Sequence, residues 1–339
     1  MPKSTLFNLD SHTPDWQKQL SDAITDPLEL LKLLRLSPED FPACEQASKP
    51  FALKLPRSYI NKIEPGNPDD PLLKQVMASA AELEISPTYT QDPVGDMKAM
   101  PVPGLLHKYQ GRVLLITTGA CAIHCRYCFR RHFPYSENHS SKQQWKDTLG
   151  YIQQHSDINE VILSGGDPLV LSNNKLEQLI EGLSAIPHVN TLRIHSRIPV
   201  ILPARITDSL ASILTKSRLK TVVVIHANHP AEITELEQHA LQNLHQAGIL
   251  LLNQSVLLKG VNDCSVILSG LSHKLFACNT LPYYLHILDK VQGAQHFEVP
   301  RQKAIQLMKE LRHKLPGYLV PELVEEKAAE KSKLPVYGL

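Results

Sequence analysis

The sequence predicts an α/β protein built on an open or partial (β/α)6 barrel, with an N-terminal extension and a short C-terminal segment. Three observations carry this expectation. From residue 112 onward, six short apolar, β-branched runs alternate with six stretches of helical periodicity. The runs are apolar along their length, which suits parallel strands buried on both faces. Strand–helix–strand connections also wind in one right-handed sense, so consecutive units curl into an arc.

Taken in order, residues 1–104 are punctuated by proline and carry two helical patterns. The first begins at Asp15 and places Leu20, Ile24, Leu28, Leu31, Leu34 and Leu36 at near-helical spacing. The second spans residues 71–84 and opens with Pro71 in its first turn. Between them, Phe51-Ala52-Leu53-Lys54-Leu55-Pro56 and Pro65-Gly66-Asn67-Pro68 read as extended and turn segments. No chemistry is legible here. The expectation is a helical cap that covers or oligomerises the main domain, followed by a proline-rich connector over 87–103. The strand candidates are 113–117, 160–164, 191–195, 221–226, 250–256 and 283–287. Helical patterns fall at 142–155, 173–184, 206–216, 231–247, 265–277 and 301–314. Ser172 and Pro230 stand where helix starts are expected, and Gly248 where an end is expected. The expected division is an extension over 1–104, a core over 105–315 and a terminal segment over 316–339.

The composition bounds the function. With 339 residues the chain can bury a large core. A formal charge of +1 gives no electrostatic case for nucleic acid or an anionic membrane as partner. Met1-Pro2-Lys3-Ser4-Thr5 leads into polar sequence, and no run approaches the roughly 20 apolar residues of a membrane span. A soluble, cytoplasmic protein is the expectation. Six cysteines are too sparse for a disulfide scaffold, and a reducing compartment favours metal ligation.

Three of those cysteines, Cys121, Cys125 and Cys128, form C-x3-C-x2-C in the loop after the first strand. Thiolates are soft ligands suited to iron–sulfur clusters or zinc. Three of them can hold three corners of a cubane and leave one iron open to a ligand. The alternative is a zinc site with His124 or His132 as fourth ligand, although no second ligand pair at zinc-finger spacing is present. Ser164-Gly165-Gly166-Asp167 follows the second strand and His226 ends the fourth. In barrels of this kind the active site lies at the C-terminal strand ends, so these motifs converge on one rim.

The cysteine loop after a first strand, with Gly165-Gly166-Asp167-Pro168 after the second, resembles the radical S-adenosylmethionine enzymes. More narrowly, the chain is similar to the lysine 2,3-aminomutase family. The matching stretches include Pro101-Val102-Pro103-Gly104-Leu105, Arg197-Ile198-Pro199-Val200, Asn228-His229-Pro230, the run from Asn253 to Asp263, and Pro282-Tyr283-Tyr284. The length resembles the short branch, which supplies (R)-β-lysine for modifying a lysine of translation elongation factor P. Longer family members carry zinc-binding cysteines in a C-terminal extension. Cys264 matches one of that set, but nothing follows Leu339 to supply the others, so a buried or inert thiol is expected.

The resemblance implies roles residue by residue. Cys121, Cys125 and Cys128 would ligate a [4Fe–4S] cluster whose open iron takes S-adenosylmethionine. Gly165, Gly166, Asp167, His226 and Gln254 would line that cosubstrate site. Pyridoxal 5′-phosphate would sit as a Schiff base on Lys333, with Lys331 as the alternative. Ala328-Ala329-Glu330-Lys331-Ser332 stands where the family has a glycine-rich run, and Leu334 where it has threonine. Lys108 and Arg112 would meet the phosphate, Arg130 the substrate carboxylate, and Asp289 and Glu326 the ε-ammonium of lysine. The implied reaction turns L-lysine into β-lysine. Implied partners are an electron donor of the flavodoxin or ferredoxin type, elongation factor P and its lysyl-transferring ligase; a homo-oligomer is compatible with the cap. Competing readings are a related enzyme that has lost pyridoxal phosphate, an aminomutase for another amino acid such as arginine, and a non-catalytic metal-binding scaffold.

Overall fold

The structure, a computed structural model, describes residues 16–135 and 142–337. The Met1 to Thr5 stretch and Asp15 lie outside the described residues. One open sheet of nine strands organises the chain, and their order in space is their order in sequence. The strands are β1 (Leu105–Tyr109), β2 (Arg112–Thr118), β3 (Glu160–Gly165), β4 (Thr191–Ser196), β5 (Lys220–His226), β6 (Leu250–Val256), β7 (Thr280–His286), β8 (Glu322–Glu325) and β9 (Leu334–Pro335). Strands β2 to β8 run parallel, while β1 and β9 pair antiparallel at the two edges. The six predicted strands are β2 to β7. The terminal segment extends the sheet by two strands, β8 and β9.

Helices α6 (Lys142–Gln154), α7 (Asn173–Ser184), α8 (Ile198–Ile201), α9 (Asp208–Thr215), α10 (Glu235–Gln246), α11 (Ser265–Ala277) and α12 (Arg301–Lys314) connect the parallel strands. Their ends follow local chemistry. The Ser172 hydroxyl accepts from Lys175 N at 3.4 Å to start α7. Thr234 and Glu237 form a capping box ahead of α10, and Gly248, at φ +85°, closes it. Pro230 does not open α10; it opens a separate 3-10 turn, Pro230–Glu232.

The N-terminal segment differs most from expectation. The first predicted helix is broken into α1 (Trp16–Ser21) and α2 (Pro27–Leu33), the second is cut to α5 (Pro71–Lys74), and α3 (Cys44–Ser48) and α4 (Arg57–Ile60) form between them. Pro27 biases Asp26 to extended backbone, and Ile24 is drawn into a bridge with Leu55. After α5 the chain unwinds because Gln75 and Glu82 are claimed by buried partners in the barrel. One apolar cluster joins Leu30, Leu55 and Leu72 of this segment to Leu163, Leu192 and Ile194 of the barrel. The extension therefore shares the barrel's core. Leu323 of β8 and Val336, just past β9, pack with Leu285 and Met308 in a second cluster. Among the described residues, no helix is long and apolar enough to cross a membrane.

Candidate active site

The cysteine loop leaves β2 at Thr118 and is clamped from two sides. On the barrel side, Gly166 N donates to Thr118 O at 2.7 Å and Asp167 N to Ala120 O at 2.8 Å. A Cβ at Gly166 would stand 2.2 Å from Ala120 O, and one at Gly165 would stand 2.6 Å from Thr118 O, with φ at +121°. Both glycines are thus needed to let the end of β3 meet the loop. On the other side, His124 N donates to Lys54 O and Arg126 N to Gln75 O, at 3.0 and 2.9 Å. The Arg126 guanidinium is fully buried against Glu82, at 2.8 Å from Nε and 2.5 Å from Nη2. It also donates to the carbonyls of Phe51 and Ala47. The segment read as chemically silent is the loop's cradle.

Each candidate fourth ligand of a zinc site has one ring nitrogen facing a carbonyl. The Nδ1 of His124 lies 2.8 Å from Ala52 O, and the Nε2 of His132 lies 3.2 Å from Gln292 O. Among the described residues, no three His, Cys, Asp or Glu side chains converge on one ion. A cubane makes a different demand, because each thiolate takes a separate iron. Of the buried or inert thiol expected at Cys264, burial is corrected: the residue is exposed.

Behind the loop opens a cavity of about 850 Å³, inside the range of small-molecule and cofactor sites. Its lining includes every residue assigned above to cluster, cosubstrate, phosphate or substrate, from Lys108 to Lys333. Lys331 is exposed and does not line it.

Within the cavity the charged residues are not arranged as separate binding groups. Lys333 Nζ lies 2.5 Å from Glu326, and Lys108 Nζ lies 3.0 Å from Glu326 and 2.5 Å from Asp96. Arg130 Nε donates to the other Asp96 oxygen at 2.7 Å, and its Nη1 to Ser164 Oγ at 3.2 Å. Lys108 and Glu326 were expected to meet two different ligands, yet they face each other. Glu326 and Lys333 are opposite each other across the β8–β9 hairpin, in step with the Glu325–Leu334 pair. Burial opposes the charge on Glu326, but Lys333 and Lys108 outweigh it and hold the carboxyl well below the usual range. At Asp289 burial wins: with Glu326 adding repulsion, its carboxyl rises to about 7.

On the cosubstrate side, burial and the nearby Arg197 charge lower His226 to about 3, so its ring is neutral. That ring lies 3.0 Å from Tyr127 OH. Gln254 lines the wall from β6. The Asp167 carboxylate is occupied by Ser196 Oγ and the backbone N–H groups of Leu169, Arg197 and Ile198. It ties β3 to the end of β4, and burial still lifts it to about 6. Asp96, Arg193 and His195 escaped the sequence reading, and Ser164 and Arg197 were named there only within motifs, without a role. The signal for Asp96 was indirect, since Lys108 and Arg130 are cations near a cavity and need an acid.

A family model described as the radical SAM superfamily matches residues 115–268. The L-lysine 2,3-aminomutase of Escherichia coli (strain K12) is 49% identical over 323 residues, 95% of this chain and 94% of that protein. That of Haemophilus influenzae is 50% identical over 319 residues, 94% of each chain. That of Clostridium subterminale is 38% identical over 328 residues, covering 96% of this chain and 79% of the relative.

The chain belongs to the lysine 2,3-aminomutase family. As a radical SAM family, it implies S-adenosylmethionine and a [4Fe–4S] cluster. The residues present fit both: three thiols of one loop border a cavity large enough for a nucleoside beside an amino acid. Arg193 and His195 line the same cavity, and Arg193 Nε and His195 Nε2 are buried with no hydrogen-bond partner in the protein. Orphaned polar atoms of this kind mark space shaped for polar ligands.

Proposed function

We propose that this chain isomerises L-lysine to β-lysine, in the R form, using a [4Fe–4S] cluster, S-adenosylmethionine and pyridoxal 5′-phosphate. One observation supports it above others: the cysteines, Lys333, Arg130, Asp289 and Glu326 all border a single cavity. When bound there, S-adenosylmethionine on the cluster supplies the radical that takes hydrogen from the substrate, and pyridoxal phosphate supplies the π-system that eases the amino shift.

The chain's own residues bind, orient and exclude water. Cys121, Cys125 and Cys128 would each hold one iron. Gly165 and Gly166 let the loop close on β3, and Asp167 fixes the turn beyond them. His226 and Gln254 would meet the cosubstrate. Lys333, lining the cavity where Lys331 does not, would hold the pyridoxal group, with Lys108 and Arg112 toward its phosphate. Arg130 is braced through Nε by Asp96, so its outer edge would grip the substrate carboxylate as a fork. Were Lys333 to hold the pyridoxal group, Glu326 would keep only Lys108 of its two cations. Glu326 and Asp289 would then favour a replacement cation, and the ε-ammonium of lysine is one.

The physiological role proposed is supply of (R)-β-lysine for elongation factor P in the cytoplasm, with a flavodoxin- or ferredoxin-type donor. It rests on the resemblance to the short branch. The test is an anaerobic assay with reductant, S-adenosylmethionine, pyridoxal phosphate and free L-lysine, read by chiral separation of the product. (R)-β-lysine is the expected product; isomerisation of another amino acid with lysine untouched overturns the reading.

A further inference from the structure

Arg197 is a buried guanidinium placed against a cysteine sulfur. It is 7% exposed, and its Nη1 donates to Cys125 Sγ at 2.6 Å. The other arm is fixed: Nη2 donates to Gln75 Oε1 at 2.8 Å and Glu232 Oε2 at 3.0 Å. The faces of Tyr59 and Tyr127 lie beside it, with centroids 5.7 and 5.6 Å from its Cζ. Its backbone N–H is held by Asp167 at 2.7 Å. Glu232 is itself fixed by Gln75 and the N–H groups of Asn228 and His229. With both Nη atoms and the backbone N–H engaged, the guanidinium holds one donor in one place. A surface cation would have been simpler if charge alone were wanted.

We propose that Arg197 is a positioning residue that sets the reduction potential of the cluster through its hydrogen bond to Cys125. The inference rests on the reading that Cys121, Cys125 and Cys128 hold that cluster. Donation to a ligating sulfur withdraws electron density from iron and favours the reduced state, raising the potential. Arg197 also links the cluster loop to the N-terminal segment through Gln75 and to the end of β5 through Glu232. The cradle and the potential are thereby coupled.

The test uses full-length protein with its cluster reconstituted, and reads midpoint potential by EPR-monitored titration beside iron and sulfide content. Arg197→Gln is combined with Glu232→Gln, so that no buried charge is left unpaired, and Glu232→Gln alone is the reference. The double variant should fall below this reference: at the reference midpoint its reduced-to-oxidised ratio drops about tenfold, about 59 mV for a one-electron couple. Arg197→Lys keeps the charge, but one ammonium cannot reach Cys125 and the Gln75–Glu232 pair together, so it shifts negatively by less. If the double variant does not hold iron, Arg197→Lys decides. Full cluster at the unshifted potential in the variant that holds iron overturns the proposal. Absence of iron and sulfide from the parent protein would instead overturn the cluster assignment beneath it.

Discussion

Replacing Glu82 by alanine tests whether the N-terminal segment truly carries the cysteine loop. Its carboxylate takes Arg126 Nε and Nη2 at 2.8 and 2.5 Å and Arg131 Nη2 at 2.8 Å. These side chains are 3% exposed or less, so solvent cannot replace the lost acid. Removing one partner from a buried ion pair costs about 3–5 kcal/mol, because the remaining charge stays buried. Unfolding entropy of about 2.1 cal/mol/K per residue amounts to about 0.7 kcal/mol per degree for a chain of this length. The expected drop in Tm is therefore about 4–7 °C, followed by circular dichroism on iron-free protein. Arg126 lies between Cys125 and Cys128, so iron retained after reconstitution should fall in parallel. Glu82→Gln, which keeps size and an acceptor, should lose less on both measures. A Glu82→Ala protein within about 1 °C of the parent and with full iron would refute the argument.

Other outcomes follow from the same geometry. Lys333→Ala should lose the pyridoxal absorbance and turnover, while Lys331→Ala keeps both; absorbance spectra and product analysis check this. Asp289 has a folded value near 7 against an ordinary 3.8, so it favours folding below about pH 4 and loses that contribution as pH rises through 7. Lysine binding runs the other way, since it wants the ionised carboxylate: affinity should strengthen as pH rises through about 7. Asp289→Asn should flatten that profile and raise KM for lysine about 10–100-fold. Gly166→Ala drives a methyl group into Ala120 O, and should abolish cluster binding as read by iron content.

The buried strands were the most legible part of the fold. β3 and β5 carry continuous buried apolar runs, residues 161–163 and 222–225, and such runs announce themselves. β1 did not, because Leu105 and Leu106 face the core while His107, Lys108 and Tyr109 are only half buried. β9 is two residues long and ends in proline, too short for any periodicity. The N-terminal helices were misread for a different reason: Ile24, Gln75 and Glu82 answer to partners far along the chain, and tertiary contacts overrode local spacing. The cysteines and glycines could be found because their spacing is local. The ion network could not, since Lys108 meets Glu326 across 218 residues and Arg130 meets Asp96 across 34.

Strand order in space follows strand order in sequence, and that has a consequence for synthesis. Each new strand can dock beside its predecessor as it emerges, so the wall bearing the three cysteines exists before the last hairpin is made. Lys333 arrives after everything else in the cavity. A chain interrupted before Glu326 should still take up iron and turn brown, but it should not bind pyridoxal phosphate and turn yellow. The colour of a preparation would report how far along the chain its synthesis or proteolysis had stopped.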